Sequence, residues 1–242
     1  SALGSGVISN GDIMFGSGTA WVLLAVSKQL LAPVIEDAFS CNHIIESLYG
    51  QILSISDGGS SITWALNTLG FGEIGNKEID GILAKAPAGS DGARFIPFLS
   101  MSGKTGIPQK LRGRITGLCL SHTRAHILRS VVEGLAFELN RHIGFLSCAG
   151  VHPERLIMCG GASASTQTPQ IIADITNLQV DCVVESDTSA FGAAMLARII
   201  VEPKTSPIKI AKQMAQSQKR FQTGANQKIY SKVYKEYLHM LE

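Results

Sequence analysis

Three glycine turns hold the residues of this sequence that could meet a polar ligand. In Arg155–Ser165 a short apolar strand, Leu156 to Cys159, breaks into Gly160-Gly161 and then the small residues Ala162 to Ser165; helical spacing follows in Gln170–Ile175. Bare backbone at the carboxyl end of a strand admits a flat ligand that a side chain would obstruct. Donors at the next helix start can meet polar or anionic atoms. An ordinary strand–turn–helix joint has the same composition, so this stretch alone leaves both readings open. A second turn, Gly16-Ser-Gly-Thr19, lies between two apolar runs of Asp12–Ser27. A hairpin there exposes several backbone N–H groups beside a threonine hydroxyl, the donor arrangement that surrounds a phosphate. A plain tight hairpin would use the same glycines. In the third, a strand over Tyr49–Ser56 ends at Asp57-Gly-Gly-Ser-Ser61, which turns and caps a helix over 62–69.

Other candidates carry less chemistry. His122 and His126 have the four-residue spacing of zinc ligands on a helix, but no neighbouring glutamate or third ligand completes the set. Asp12 and Asp57 are expected in solvated turns rather than as catalytic bases. Gly103-Lys-Thr105 lacks the upstream glycine and strand of a phosphate loop. The lysines Lys209, Lys212, Lys219, Lys228 and Lys235 read as a solvated helix face.

The elements that position these turns alternate between strand and helix. Residues 76–92 fit a short helix, apolar at Ile79, Ile82 and Leu83, and an exposed loop. Arg94–Leu99 is extended, Ser100 to Arg112 a polar loop, and Gly113–Leu120 a strand. Ile127, Val131, Leu135, Leu139, Ile143 and Leu146 recur at three- and four-residue spacing, which predicts one long amphipathic helix from Thr123 that ends near Gly150. Gln179–Val184 is a further strand, Ser189–Ile200 a helix of small residues suited to close packing, and 203–242 a helical tail with Tyr230, Tyr234, Tyr237 and Leu241 on one face. Strands first and strand–helix alternation afterwards indicate an α/β fold with a mixed sheet flanked by helices.

A chain of 242 residues, 45% hydrophobic and 17% charged, can bury a sizeable core, and its net charge of +2 makes no case for nucleic acid or membrane as the main partner. Five scattered cysteines without a Cys-x-x-Cys read as reduced thiols of a cytoplasmic protein, with Cys119 and Cys159 expected inside buried strands. The first residues, Ser1–Gly6, look like the middle of a helix–loop joint and suggest a fragment.

Gly113-x-Ile115-x-Gly117-Leu118, then seven residues, then His126-Ile127-x-x-Ser130-Val131-Val132-Glu133, closely resembles the second signature of the FGGY carbohydrate kinases. The likeness runs nearly the whole chain in order. Ser1–Gly6 with Met14 to Ser27 looks like the family's second phosphate hairpin. Gly58-Gly59 with Trp64 is similar to its nucleotide-binding helix start, and Gly160-Gly161-Ala162 with Gln170, Ala173 and Asp174 to its adenosine motif. Ala190–Ala194 matches the small-residue helix that follows, and the tyrosine-spaced tail fits the family's C-terminus. Among such kinases the likeness leans towards xylulokinases.

The resemblance implies a ribonuclease H-like domain of the actin/hexokinase superfamily: a C-terminal nucleotide-binding domain over 1–202, with a helical tail over 203–242 packed on it. It implies ATP as phosphoryl donor, with Mg2+ carried on the nucleotide. Gly18 and Thr19 would meet the phosphates. Gly58, Gly59 and Thr63 would line the nucleotide, and Gly160, Gly161, Ala162 and Ser165 would lie beside the adenine. The expected partners are the family's N-terminal kinase domain and a small sugar or polyol, a pentulose such as xylulose favoured, with homodimerisation left open and neither nucleic acid nor membrane involved. The family's catalytic aspartate lies upstream of the segment that Ser1 begins, so no catalytic residue and no metal ligand is expected here, and the fragment alone is expected to be inactive. Thr63 and Ser165 depart from the glycerol kinase residues, and Ser100–Pro108 from the Gly-Glu-Arg-x-Pro-like loop of many relatives. The rival readings are a non-catalytic nucleotide-binding or sensor protein of the same superfamily, and a purely structural or interaction domain.

Overall fold

A computed structural model describes residues 1–100, 111–183, 187–215 and 217–242. Four strands come first: β1 (Asp12–Ser17), β2 (Trp21–Ser27), β3 (Phe39–Asn42) and β4 (Tyr49–Ile55). Helices α1 (Gly58–Thr68) and α2 (Asn76–Leu83) follow, then a two-stranded ribbon of β5 (Arg94–Ile96) and β6 (Arg114–Thr116). Next are α3 (Arg124–Cys148), β7 (Arg155–Cys159), α4 (Gln167–Thr176), β8 (Gln179–Val183), α5 (Thr188–Val201), α6 (Pro207–Met214), β9 (Ser217–Phe221) and α7 (Gln227–His239).

The main sheet has the order β3-β4-β2-β1-β7-β8-β9. β1 runs antiparallel to β2 and β2 antiparallel to β4, whereas β7 lies parallel to β1 and β8 parallel to β7. Successive side chains of a strand point to opposite faces, and β1 is apolar on both: Ile13 and Phe15 join the larger core while Met14 joins a second cluster with Val7, Val26 and Ile157. A sheet covered on both sides needs that continuous apolar run. The outcome is a mixed sheet flanked by helices.

The periodic helix forms as expected, and Leu128, Val131, Val132, Leu135, Leu139 and Leu146 are buried. Thr123 and His126 close a reciprocal capping box at its start, and the His126 Nε2 lies 3.2 Å from Asp91 Oδ2. Gly134 lets α3 touch β5, since a Cβ there would stand 2.3 Å from the Phe95 carbonyl oxygen. The small residues of α5 work similarly, because Gly4 packs directly on the backbone at Thr188 and Gly192.

Several expectations need correction. The tail is not all helix: β9 pairs antiparallel with β8 at the sheet edge. Its sequence, Ser217-Gln-Lys-Arg-Phe221, has the polar character of an edge strand and no apolar alternation to reveal it. The edge strand β3, Phe39-Ser-Cys-Asn42, is only four residues long, too short for its alternation to mark it. β6 covers only Arg114–Thr116, and Cys119 is exposed in the turn that follows rather than buried in a strand. All five cysteines are free, with Cys159 and Cys182 buried. Asp12 and Asp57 are not solvated. Asp12, 2% exposed, takes the Arg155 Nε at 2.8 Å and the Ile8 N–H at 3.1 Å. Asp57, 4% exposed, caps no helix with its side chain and accepts the Ser100 N–H at 3.1 Å and 3.2 Å. Among the described residues no helix is long and apolar enough to cross a membrane, and no group of three or more His, Cys, Asp or Glu stands where it could hold a metal ion.

Candidate functional site

Strand direction brings the three glycine turns together. Ser17 pairs with Trp21, Trp21 with Ile55, and Gly16 with Cys159, so the carboxyl ends of β1, β4 and β7 finish at one edge of the sheet. Open α/β sheets bind ligands outside that edge. Hydrogen bonds then join the turns. The Ser17 hydroxyl donates to the Cys159 carbonyl oxygen at 2.7 Å, the Gly59 N–H to Gly18 O at 3.0 Å, and the Ser60 N–H to Thr19 O at 3.0 Å.

The glycines make this approach sterically feasible. A Cβ on Gly59 would sit 2.4 Å from Gly18 O, and one on Gly58 2.4 Å from the Trp21 ring. Gly160 has φ +91°, and its Cβ would meet the Ser17 backbone at 3.1 Å. Gly58, Gly59 and Gly160 therefore fix the shape of the edge, and the Gly59 N–H is already satisfied within the protein. Gly18, Thr19, Thr63 and Gly161 are exposed, and a Cβ on Gly161 would meet nothing within 4 Å. Ala162 is half-buried at the start of a 3-10 turn, Gly161–Ala164, and the Thr63 hydroxyl leans back on Gly59 O at 3.3 Å. What faces solvent is glycine backbone flanked by Thr19 and Thr63.

Ser165 has another role. It is 1% exposed, donates to Asp80 Oδ1 at 2.5 Å, and accepts the Thr168 N–H at 2.9 Å. The Gln167 N–H also reaches Asp80, at 3.1 Å. The first donors of α4 are thus occupied, and a carboxylate stands at the positive end of that helix. Donors at this helix start that could meet polar or anionic atoms are therefore already taken up within the protein. Asn76, in the short helix α2, donates its amide to Gly161 O at 2.9 Å. Asn76 and Asp80 share one face of α2 by their i,i+4 spacing, and that pairing of short polar residues was the available signal.

Burial opposes ionisation of Asp80, but the Ser165 hydroxyl, the Thr166 N–H and hydroxyl and the Gln167 N–H outweigh it and hold its pKa below the ordinary carboxylate value. A depressed folded pKa means stability that is present above the unfolded value of about 4 and is lost as pH falls through the folded one. Urea midpoints at pH 7 and pH 3 should therefore fall further for the wild-type chain than for Asp80→Asn; equal falls would contradict this coupling.

The model of the C-terminal domain of the FGGY family of carbohydrate kinases matches residues 14–200. The chain belongs to that family. The relatives of this FGGY domain include a xylulose kinase of Staphylococcus epidermidis, 28% identical over 196 residues that cover 81% of this chain and 39% of the relative. The solved xylulose kinase of Rhodospirillum rubrum superposes with a TM-score of 0.87 at 25% identity, over 99% of this chain and 48% of that one. A glycerol kinase of Plasmodium falciparum, solved with ADP, shares the fold at a TM-score of 0.82 and 21% identity, over 99% and 49%. The chain thus spans about half the length of these FGGY proteins or less, and it is xylulokinase-like in its matches. The actin/hexokinase-type architecture expected from the signature is the one observed. The altered loop Ser100–Pro108 and Gly103-Lys-Thr105 lie, beyond Ser100, outside the described residues.

Proposed function

We propose that this chain is the nucleotide-holding half of an ATP-dependent carbohydrate kinase. The observation that carries the reading is the convergence of three glycine turns at one sheet edge, with Gly161 opening onto bare space. ATP would place its phosphates against Gly18 and Thr19. Its nucleoside would lie on the surface shaped by Gly58, Gly59, Thr63, Gly160, Gly161 and Ala162, with Ser165 supporting the turn from behind. A neighbour of the same fold was solved with ADP, which fits this use of the edge. Mg2+ would ride on the nucleotide phosphates, where it neutralises charge; among the described residues no group of three or more His, Cys, Asp or Glu stands where it could hold the ion instead.

Phosphoryl transfer depends mainly on positioning and charge stabilisation. The residues of this chain do the first: they hold the donor against a rigid sheet edge and leave one side open for the acceptor. The group that takes the proton from the acceptor hydroxyl, and most of the sugar contacts, would come from the N-terminal half that the relatives' greater length provides. Closure of the two halves would keep water from the γ-phosphate. The acceptor class is a small sugar or polyol, with a pentulose such as xylulose favoured by the relatives' names. The reading places the enzyme in the cytoplasm, and homodimerisation is compatible with it.

The test joins this chain to its N-terminal half and follows ADP release with ATP, Mg2+ and a panel of xylulose, glycerol and gluconate. Xylulose-dependent ADP release with a matching sugar phosphate by mass spectrometry is expected, and this chain alone should release none. ADP release that no sugar or polyol stimulates would overturn the kinase reading.

A further inference from the structure

We infer that Asp80 and Asn76 of α2 are positioning residues that preset the Gly160–Gln167 turn for the nucleoside and direct the phosphates to the hairpin; the inference rests on the nucleotide reading above. Four donors converge on one carboxylate. Asp80 Oδ1 accepts the Ser165 hydroxyl at 2.5 Å and the Gln167 N–H at 3.1 Å. Oδ2 accepts the Thr166 N–H at 2.7 Å and the Thr166 hydroxyl at 2.8 Å. Asn76 holds the other end of the turn through Gly161 O at 2.9 Å.

These contacts bridge 85 or more positions of sequence, so they locate the turn in space rather than merely shape it. The support beneath them reaches the core. Leu83, at the end of α2, is fully buried, and its carbonyl oxygen accepts Arg129 Nη1 of α3 at 3.0 Å. The turn is therefore referenced through α2 to the central helix. Charge gives the orientation: a carboxylate beside the first N–H groups of α4 repels phosphate there, while the exposed Gly18–Thr19 tip has no acidic side chain of its own. A neutral nucleoside at the turn and phosphates at the hairpin are the arrangement that this distribution favours.

The measurement is MgADP affinity by NMR titration of this chain, with thermal stability and amide exchange recorded in parallel. In Asp80→Asn the new NH2 faces donors; misplacing the turn should weaken MgADP binding by about tenfold or more and speed exchange of the Thr166 and Gln167 amides. Asn76→Ala, which removes one bond, should weaken binding by about threefold and serves if Asp80→Asn fails to fold. Asp12→Asn breaks the buried contact with Arg155 at the far end of β1; it should lower stability and leave affinity within about twofold, which separates positioning from general destabilisation. Wild-type binding with Asp80→Asn and Asn76→Ala both within twofold would overturn the positioning role and spare the nucleotide reading. Absence of saturable MgADP binding by the wild-type chain would overturn the nucleotide reading, and the positioning role with it.

Discussion

Glu133→Ala is expected to destabilise the fold by about 3–5 kcal/mol, the cost of leaving one member of a buried ion pair without its partner. Glu133 is 2% exposed and Arg129 5% exposed, one turn apart on α3. The carboxylate takes Arg129 Nε at 2.9 Å, the Tyr230 hydroxyl at 2.8 Å, the Gly89 N–H at 2.9 Å and the Ser90 hydroxyl at 2.8 Å. Alanine would strip all four and leave a guanidinium sealed against Leu83 O and Tyr230 Oη alone. Glu133→Gln keeps the acceptor oxygen and should cost less, about 1–3 kcal/mol. Urea unfolding reads both. A loss below about 1 kcal/mol for alanine would show that the site relaxes or admits water. The pair also matters for the candidate edge, because the same Arg129 holds the end of α2. Tyr230 ties α7 into the same network.

Gly161→Asp should leave the fold intact and remove nucleotide binding. Space is available for the new Cβ, with no atom within 4 Å, so stability should stay within about 0.5 kcal/mol of wild type. The added side chain stands on the surface proposed for the nucleoside and should weaken MgADP binding by about a hundredfold, mainly through its bulk. Calorimetric titration beside a thermal melt separates the two effects. An unchanged affinity in a folded variant would place the nucleotide elsewhere. Gly59 makes the useful contrast: any side chain there collides with Gly18 O, so its variants would confuse a lost site with a displaced hairpin.

What could be read from the sequence was what residue type alone encodes. Gly58, Gly59 and Gly160 announce close backbone approach, and the periodic leucines and valines of α3 announce a buried helix. The order of motifs then told that separate turns belong to one surface. What escaped depends on partners far along the chain. Asp12 looks like a turn residue until Arg155, 143 positions on, is found beside it. Asp80 looks like an ordinary polar position of a short helix until β7 ends across from α2. β9 carries lysine and arginine on an edge where no apolar alternation is required. Cys119 lies in an apolar run that the turn at Gly117 carries out to solvent.

The central claim is that the carboxyl edge of β1, β4 and β7 holds the nucleotide, and a 15N amide-shift map of this chain titrated with MgADP tests it most directly. Saturable shifts that cluster at Gly18, Thr19, Gly59, Thr63, Gly161 and Ala162 are the predicted result. Shifts absent at millimolar MgADP, or confined to another region such as the cavity of about 240 Å³ lined by Ser9, Arg155, Ile157 and Lys212 at the opposite end of the sheet, would contradict it.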